Sequence, residues 1–449
     1  MTTPHDTVVW DPTGLGCREK SGHSLAALCN PESLNEKDEQ VRVNSIVRRM
    51  AMSNEMRVNR RDFFKRALAT GAAVAGTRLA LSPTRAEEVA DAGKSGKKVK
   101  VGIIGCGSVS RHYLRDLSTS PFVELVSCCD RIYDRAKQAA AEYKVPHHYP
   151  NIGEMLAGAQ FDLLVNLTDM QEHYRLNKEG LRAGKHVWSE KPIAGNYEQG
   201  MELLELAKKR GVRLWGAPTV VTSPQFAFMA KTLAAGTLGR LAAAHASYGH
   251  LGPNWSPFFY EKGGGSLPDL GVYNITTLTG LLGPAKEVAA IISIVTPTRD
   301  IRGKTIKVEA EDNAMVILDH GNSVLSHVQC GFNYFTPFEH DATQQSHHTI
   351  AIIGIGGSMH LAGYDWAPHG VDLATQERPK FQRLASDTGK YTWQYGASHI
   401  AECLATGKES LITPEQAVHV AEIIHAANES QRTGKRITIR SSFKWPIIG

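Results

Sequence analysis

A short β-branched run, Val99 to Ile104, passes directly into Gly105-Cys106-Gly107-Ser108-Val109-Ser110 and then into a helix-forming stretch, Arg111 to Leu117. Few folds accept that order. A strand that turns on two glycines into a helix uses the first Gly for the bend and the second to let a pyrophosphate approach the backbone at the helix N-terminus. The backbone of Gly105, Gly107, Ser108 and Val109 is therefore the expected cofactor cradle, and Ser110 at the third position is small enough for close helix packing. A second apolar strand, Val123 to Cys129, ends in Asp130, 25 residues after Gly105. A carboxylate there accepts hydrogen bonds from ribose hydroxyls and repels a 2′-phosphate, which favours NAD. Arg131 beside it can stack on adenine or pair with a 2′-phosphate, so NADP stays possible.

The alternation continues with a helix over Asp134 to Tyr143, a strand at Phe161 to Leu167, a helix from Gln171 to Ala183 and a strand at His186 to Ser189. Such a βαβ series builds a parallel sheet. Asn166 and Thr168 fall at the carboxyl end of a strand, where ligands bind in open α/β sheets, and are expected to contact cofactor. His173, at a helix start, is a candidate cofactor contact or a cap. The next strand runs into Glu190-Lys191-Pro192, which places a carboxylate and a cation at the same sheet edge, where both are expected to contact cofactor.

A chain of 449 residues accommodates two or three domains. Its composition, 42% hydrophobic and 21% charged with a net charge of +5, is that of an ordinary globular protein. No dense basic run follows residue 100, so a nucleic-acid partner is not indicated and small molecules are the expected partners. The seven cysteines form no CxxC pair and no Cys/His ligand spacing, which argues against a disulfide framework or zinc; Cys128 and Cys129 are expected as small buried hydrophobes. His340, His347 and His348 lack ligand spacing with carboxylates, and no metal is expected.

The segment Ala183-Gly184-Lys185-His186-Val187-Trp188-Ser189-Glu190-Lys191-Pro192-Ile193, about 80 residues after the glycine turn, resembles the glucose-fructose oxidoreductase / inositol dehydrogenase (Gfo/Idh/MocA) family. The resemblance covers roughly residues 98 to 440 and extends to the closing helix from Ile412-Thr413-Pro414 to Thr433-Gly434. It implies a Rossmann domain over 97–218, then an α+β domain over 219–449 whose open-faced, largely antiparallel sheet walls the substrate site and serves subunit contact, hence a homo-oligomer. It also implies that Lys191 is catalytic.

Past Pro218 the βα alternation ends. A helix near Pro224 to Ala235 is followed by strands near Leu241 to Tyr248, Ala285 to Val295, Ala314 to Asp319 and Ser323 to Gln329, and Gly354-Ile355-Gly356-Gly357 with Gly363 to Trp366 suggests a strand-turn-strand edge. Gly263-Gly264-Gly265-Ser266-Leu267-Pro268-Asp269-Leu270-Gly271-Val272-Tyr273-Asn274 resembles the family's catalytic segment, with Tyr273 where a His is usual and Thr276 where a later Asp is usual. Placed on a helix, Asp269 and Tyr273 share a face and can both meet substrate; Asp269 is expected to orient the sugar or to pair with Lys191. Tyr273 donates a proton in reduction; to act as a base its phenol, normally near 10, must be lowered by a cation such as Lys191. His250, Trp255, Tyr260 and Asn274 are further candidates for stacking on a sugar ring or bonding its hydroxyls, with His245, Asn254 and His399 as weaker ones.

Asn59-Arg60-Arg61-Asp62-Phe63-Phe64-Lys65, followed by the small-residue run Ala67 to Leu81, resembles a twin-arginine export signal. The apolar run is too short and Ala/Gly-rich for stable membrane insertion. Residues 1–92 are thus expected to be an unstructured extension plus signal, engaging the export machinery transiently and giving a periplasmic or otherwise exported protein; the alternative is a cytoplasmic enzyme with a chance Arg-Arg. Outside the cytoplasm free NAD is scarce, so the cofactor is expected to be held and recycled. The leading expectation is hydride transfer on a sugar or cyclic polyol. The alternatives are a redox-neutral NAD-dependent glycosidase or lyase and a non-catalytic sugar sensor.

Overall fold

The computed structural model describes residues 98–336, 347–389 and 391–448. The arginine pair, the Ala-rich run, Cys17, Cys29 and His340 lie outside the described residues.

Strands β1 (Val99–Ile104), β2 (Val123–Cys129), β3 (His147–Tyr149), β4 (Leu163–Asn166), β5 (His186–Ser189) and β6 (Leu214–Gly216) form a six-stranded parallel sheet in the order 3-2-1-4-5-6. This is the doubly wound dinucleotide arrangement, whose order reverses between β1 and β4. Helices α1 (Ser110–Thr119), α2 (Tyr133–Tyr143), α3 (Ile152–Ala157), α4 (His173–Arg182) and α5 (Tyr197–Arg210) connect the strands. Both faces of the central strands are covered, so β1, β2, β4 and β5 are largely runs of buried apolar residues, while the edge strand β3, His147-His148-Tyr149, is mostly exposed. Cys128 and Cys129 are fully buried within β2 and behave as small hydrophobes. Asn196 caps α5 by accepting the Gln199 amide, and Gly211 ends it in the left-handed conformation.

Helix α6 (Pro224–Ala234), capped by Ser223 with Pro at its first turn, leads into a nine-stranded sheet. Its strands are β7 (Leu241–Gly249), β8 (Glu287–Ser293), β11 (Asn313–Asp319), β12 (Leu325–Gly331), β13 (His348–Gly354), β14 (Gly357–Tyr364), β15 (Ala367–Thr375), β16 (Gln382–Leu384) and β17 (Ile437–Thr438). All pairings are antiparallel except β12 with β7, so the sheet is mixed and largely antiparallel. The turn Gly354 to Gly357 joins β13 to β14, but β14 lies between β13 and β15. It is an interior strand, not the edge the sequence suggested.

One face of this sheet packs on α7 (Val272–Leu282) and α9 (Pro414–Thr433); the other presents Ile291, Met315, Ile317 and Leu325 as exposed side chains. Helix α9 places Val418 and Ala421 in the core of the first sheet and Val420, Ile423 and Ala427 in the core of the second, joining the two layers. Between β8 and β11 a separate two-stranded ribbon, β9 (Thr298–Ile301) and β10 (Lys304–Lys307), leaves the main sheet. Sequence reading did not foresee it. A last short helix, α8 (Gly396–Thr406), packs near α1.

Candidate active site

The glycine turn is built by backbone necessity. Gly105 has φ +91, and a Cβ there would stand 2.6 Å from the carbonyl of Leu167, so no L side chain fits. A Cβ on Gly107 would meet nothing within 4 Å, because that residue faces an open cleft. Ser110 is the first residue of α1, and its Oγ donates to the Gly107 carbonyl at 2.6 Å. The cleft over the turn encloses about 860 Å³ and is lined by Gly105, Gly107, Asp130, Arg131, Leu167, Thr168, Trp255 and the tip of the β9–β10 ribbon. That volume is at the upper end of the range typical of small-molecule sites. An NAD molecule fits this donor set: backbone amides at a helix N-terminus for the diphosphate, and a carboxylate for ribose.

Asp130 is buried and doubly anchored. Its Oδ2 accepts from the Cys106 amide at 2.8 Å and its Oδ1 from the Ile132 amide at 2.7 Å. It therefore holds the glycine turn as well as facing the ribose position. Arg131 is turned outward at the cleft mouth, its guanidinium 3.2 Å from Asp169 Oδ2.

Two expected cofactor contacts are corrected. Asn166 is fully buried; its Nδ2 donates to Asn177 Oδ1 at 2.8 Å, and its Oδ1 accepts from Thr168 Oγ1 at 2.7 Å. His173 is 1% exposed, with Nδ1 2.8 Å from the Pro192 carbonyl and Nε2 2.9 Å from that of Thr168. Burial lowers its imidazole below the usual range, against the pull of those carbonyls. Both side chains spend their polar atoms on protein partners beneath the cleft, so they position the ends of β4 and β5. Thr168 does line the cleft.

Beyond the end of β5, Glu190 is buried, accepting from Tyr113 Oη at 2.6 Å and from the Lys191 amide at 3.0 Å. Lys191 Nζ reaches across 78 residues of sequence to donate to both Asp269 Oδ1 and the Asp269 carbonyl, each at 2.7 Å. The same ammonium stands 5.0 Å from the Tyr273 ring centroid. Lys191, Asp269 and Tyr273 are thus brought together.

The geometry differs from the expected single α-helix. Leu267–Gly271 is a π-helical turn, in which the Val272 amide donates to the Leu267 carbonyl five residues back; α7 starts only after it. Such bulges occur frequently at functional sites. Here it presents both the carboxylate and the carbonyl of Asp269 to one ammonium. The turn is held from outside by Glu311, whose buried carboxylate accepts from Ser266 Oγ at 2.6 Å and the Leu267 amide at 2.5 Å. Gly265, at φ +118, is required because a Cβ would lie 2.4 Å from Glu311 Oε1. Burial pushes the Glu311 carboxyl up to about 8.

Burial first, then the negative charges of Glu190 and Asp269 and the neighbouring phenols of Tyr248 and Tyr113, push the Tyr273 phenol well above 10. Lys191 lies over the ring face and is bonded to Asp269, so it does not bring the hydroxyl into the neutral range. Among the described residues the Tyr273 hydroxyl makes no hydrogen bond to protein. The arrangement holds a neutral, half-buried phenol with a cation over its π face, which favours the ring's negative form as a proton leaves.

The expected sugar-binding residues separate. Trp255 lines the dinucleotide cleft. Tyr260 is 1% exposed, its hydroxyl donating to the Pro253 carbonyl at 2.7 Å beneath the Arg299 guanidinium, and burial pushes it up to about 12; it is core, not a stacking surface. His250 is buried, with Nδ1 accepting from the Gly252 amide at 2.9 Å and its ring packed on Tyr248 and Phe332. Successive helical side chains diverge by about 100°, so Asn274 points inward to Asp365, 3.0 Å away, and not with Tyr273. His399 bonds Ser410 and Tyr395 away from the cleft. His348 pairs with Asp372 at 2.6 Å. Thr276 is a helix-interior residue whose Oγ1 donates to the Val272 carbonyl at 2.7 Å. Among the described residues no group of three or more His, Cys, Asp or Glu side chains is placed to hold a metal.

Sequence reasoning missed Tyr113, Glu311, Tyr248 and the ribbon. Tyr113 lies on the first glycine-turn helix, but nothing in its neighbourhood signals a partner 77 residues on. Tyr248 packs against Tyr273 at 6.3 Å between centroids, from a strand whose alternation was visible but whose facing element was not.

Residues 99–217 match the family model described as "Oxidoreductase family, NAD-binding Rossmann fold", and residues 226–360 match the "GFO/IDH/MocA C-terminal domain". An uncharacterized oxidoreductase of Synechocystis sp. is 28% identical over 270 residues, 58% of this chain and 71% of that protein. The trans-1,2-dihydrobenzene-1,2-diol dehydrogenase of Homo sapiens is 26% identical over 324 residues, covering 70% of this chain and 90% of its own. Among solved structures, levoglucosan dehydrogenase in complex with NADH superposes with a TM-score of 0.67 at 18% identity, over 77% of this chain and 100% of that one. GenD2 from gentamicin A biosynthesis in complex with NAD gives 0.63 at 21% identity, over 77% and 97%.

Proposed function

The chain belongs to the Gfo/Idh/MocA family of NAD-binding oxidoreductases, and on that premise we propose that it transfers hydride between NAD and a ring-borne secondary alcohol of a sugar or cyclic polyol. The observation that carries this reading is the meeting of Lys191, Asp269 and Tyr273 at the carboxyl end of the parallel sheet, where ligands of such sheets bind. The relatives named for dihydrodiol and levoglucosan dehydrogenases support a cyclic hydroxylated substrate.

When bound, NAD supplies the two-electron acceptor, with Gly105, Gly107, Ser108 and Val109 at the diphosphate and Asp130 at the ribose. The chain's own residues manage the proton. In reduction, Tyr273 Oη donates its proton to the nascent alkoxide, and Lys191, anchored by Asp269, stabilises the phenolate left behind. In oxidation the same phenol must first lose its proton, so the oxidative direction is favoured at alkaline pH.

We further propose export through the twin-arginine pathway, supported by Asn59 to Lys65 and the Ala-rich run after it, with the cofactor retained and recycled. Assembly into a homo-oligomer through the open sheet face is supported by the exposed Ile291, Met315 and Ile317, which share that face. Mass spectrometry of dinucleotide released from protein recovered from the cell envelope, together with nicotinamide absorbance during incubation with aldoses, cyclitols, anhydro-sugars and cyclic diols, tests the reading. Bound NAD and turnover on one of these classes are expected. No bound dinucleotide and no hydride transfer to any of them would overturn it.

A further inference from the structure

The β9–β10 ribbon is isolated from the main sheet, and a two-stranded ribbon alone is marginal in water. Its root is nonetheless fixed. Arg299, on β9, donates to the carbonyls of Leu251 and Phe332, each at 2.8 Å, and to Asn333 Oδ1 at 2.7 Å, lies 3.3 Å from the fully buried Asp312, and covers the Tyr260 ring. Ile301 is buried in the core of the second domain. From this anchor the strands project over the dinucleotide cleft, where Ile301, Arg302, Lys304 and Ile306 form part of the wall.

The tip is a two-residue loop, Arg302-Gly303, with φ of 51° and 76°. Two positive φ values define the mirror-image turn that matches strand twist, in which Asn, Asp or Gly is preferred at the first position. An arginine there gives up turn propensity while extending a guanidinium outward. Arg302 lines both the 860 Å³ cavity and an adjoining one of about 550 Å³. Gly107 lines both as well, so the arginine and the phosphate cradle border the same two cavities. Of the other cleft cations, Arg131 and Arg175 are paired with Asp169 and Glu172. Among the described residues Arg302, Arg135, Arg111 and Lys304 have no carboxylate partner, which leaves a set of cations facing the place where two phosphate charges belong.

We propose that the ribbon is a clasp on the bound cofactor: Arg302 caps the dinucleotide's diphosphate from the side opposite the glycine turn and slows its release. The clasp rests on the dinucleotide-binding reading above and extends it by naming the element that retains the cofactor. It is supplied by the same chain, so it does not depend on oligomerisation.

Arg302→Asn tests it, because Asn-Gly suits the turn and removes only the cation. NADH release from the full chain is followed by fluorescence during displacement with excess NAD, at low and high salt. A charge-assisted contact to phosphate predicts release about tenfold faster in Arg302→Asn at low salt, with the gap narrowing at high salt, and near-normal release in Arg302→Lys. Release from Arg302→Asn within about twofold of the unmodified rate at low salt overturns the clasp and leaves the oxidoreductase reading standing. If the unmodified chain binds neither NADH nor NADPH, both fall. If NADPH binds with the same dependence on Arg302, the clasp stands and the preference for NAD is wrong.

Discussion

Replacing Lys191 by Met tests the proton-transfer arrangement at its centre. The ammonium lies 5.0 Å from the Tyr273 ring centroid. At an effective dielectric of about 20, a unit charge at that distance stabilises a phenolate by at most ~3 kcal/mol, equivalent to roughly two pK units, and the Asp269 carboxylate paired with the ammonium offsets part of it. Burial, Glu190 and Asp269 already push the phenol up, so removing the cation raises it further. Oxidation requires the deprotonated phenol, and its rate climbs with pH until the phenol has titrated. In Lys191→Met that climb should move to higher pH by up to about two units, and oxidation at a fixed pH on the slope should fall by up to roughly 100-fold. The assay is kcat/KM for alcohol oxidation from neutral pH to about 10.5, with NADH affinity and thermal melting measured alongside, since Asp269 loses the partner of a largely buried ion pair. Tyr273→Phe should abolish the alkaline climb altogether. A shift below about half a unit in Lys191→Met, or a climb that survives in Tyr273→Phe, would refute the assignment of the titrating group.

Asp130→Ser should weaken NAD binding by tenfold or more relative to NADP, on the order of 1.4 kcal/mol, as measured by titration with both dinucleotides. Glu311, raised to about 8 in the folded protein, binds a proton there that the unfolded chain loses near its ordinary value. Its contribution is therefore complete below about 4.5 and is lost as pH rises to about 8, by as much as ~5 kcal/mol; Glu311→Gln should flatten the denaturant-midpoint profile across that window. Asp372 behaves oppositely. Arg383 and His348 hold it down to about 2, so its stabilisation is present above its ordinary value and fades as pH falls from there to about 2. Asp372→Asn should cost ~2 kcal/mol at neutral pH and nothing at the acid end, read from urea unfolding.

Much of the first domain was legible because its signals are local. The β-branched run of β1, the two glycines after it and the helix-forming residues that follow are contiguous, and they lead directly to strand, turn and helix. In the second domain the strands near Leu241, Ala314 and Ser323 were visible from their composition, while the β9–β10 ribbon, rich in charged and polar residues, carried no apolar alternation to reveal it. Asn166 and His173 show the limit at the site. Their place at strand and helix ends could be read, but the direction of each side chain follows from acceptors on other segments, Asn177 and Pro192.

What the chain's order of residues determined is the dinucleotide cradle, the lysine after β5 and the small-residue segment that leads to Tyr273. Only the folded protein decided that Lys191 is bound by Asp269 on a π turn and that Tyr273 is a neutral phenol. Spacing along a chain sets backbone conformation within a turn or two, whereas a proton's affinity depends on burial and on charges brought within a few ångströms by segments some eighty residues apart.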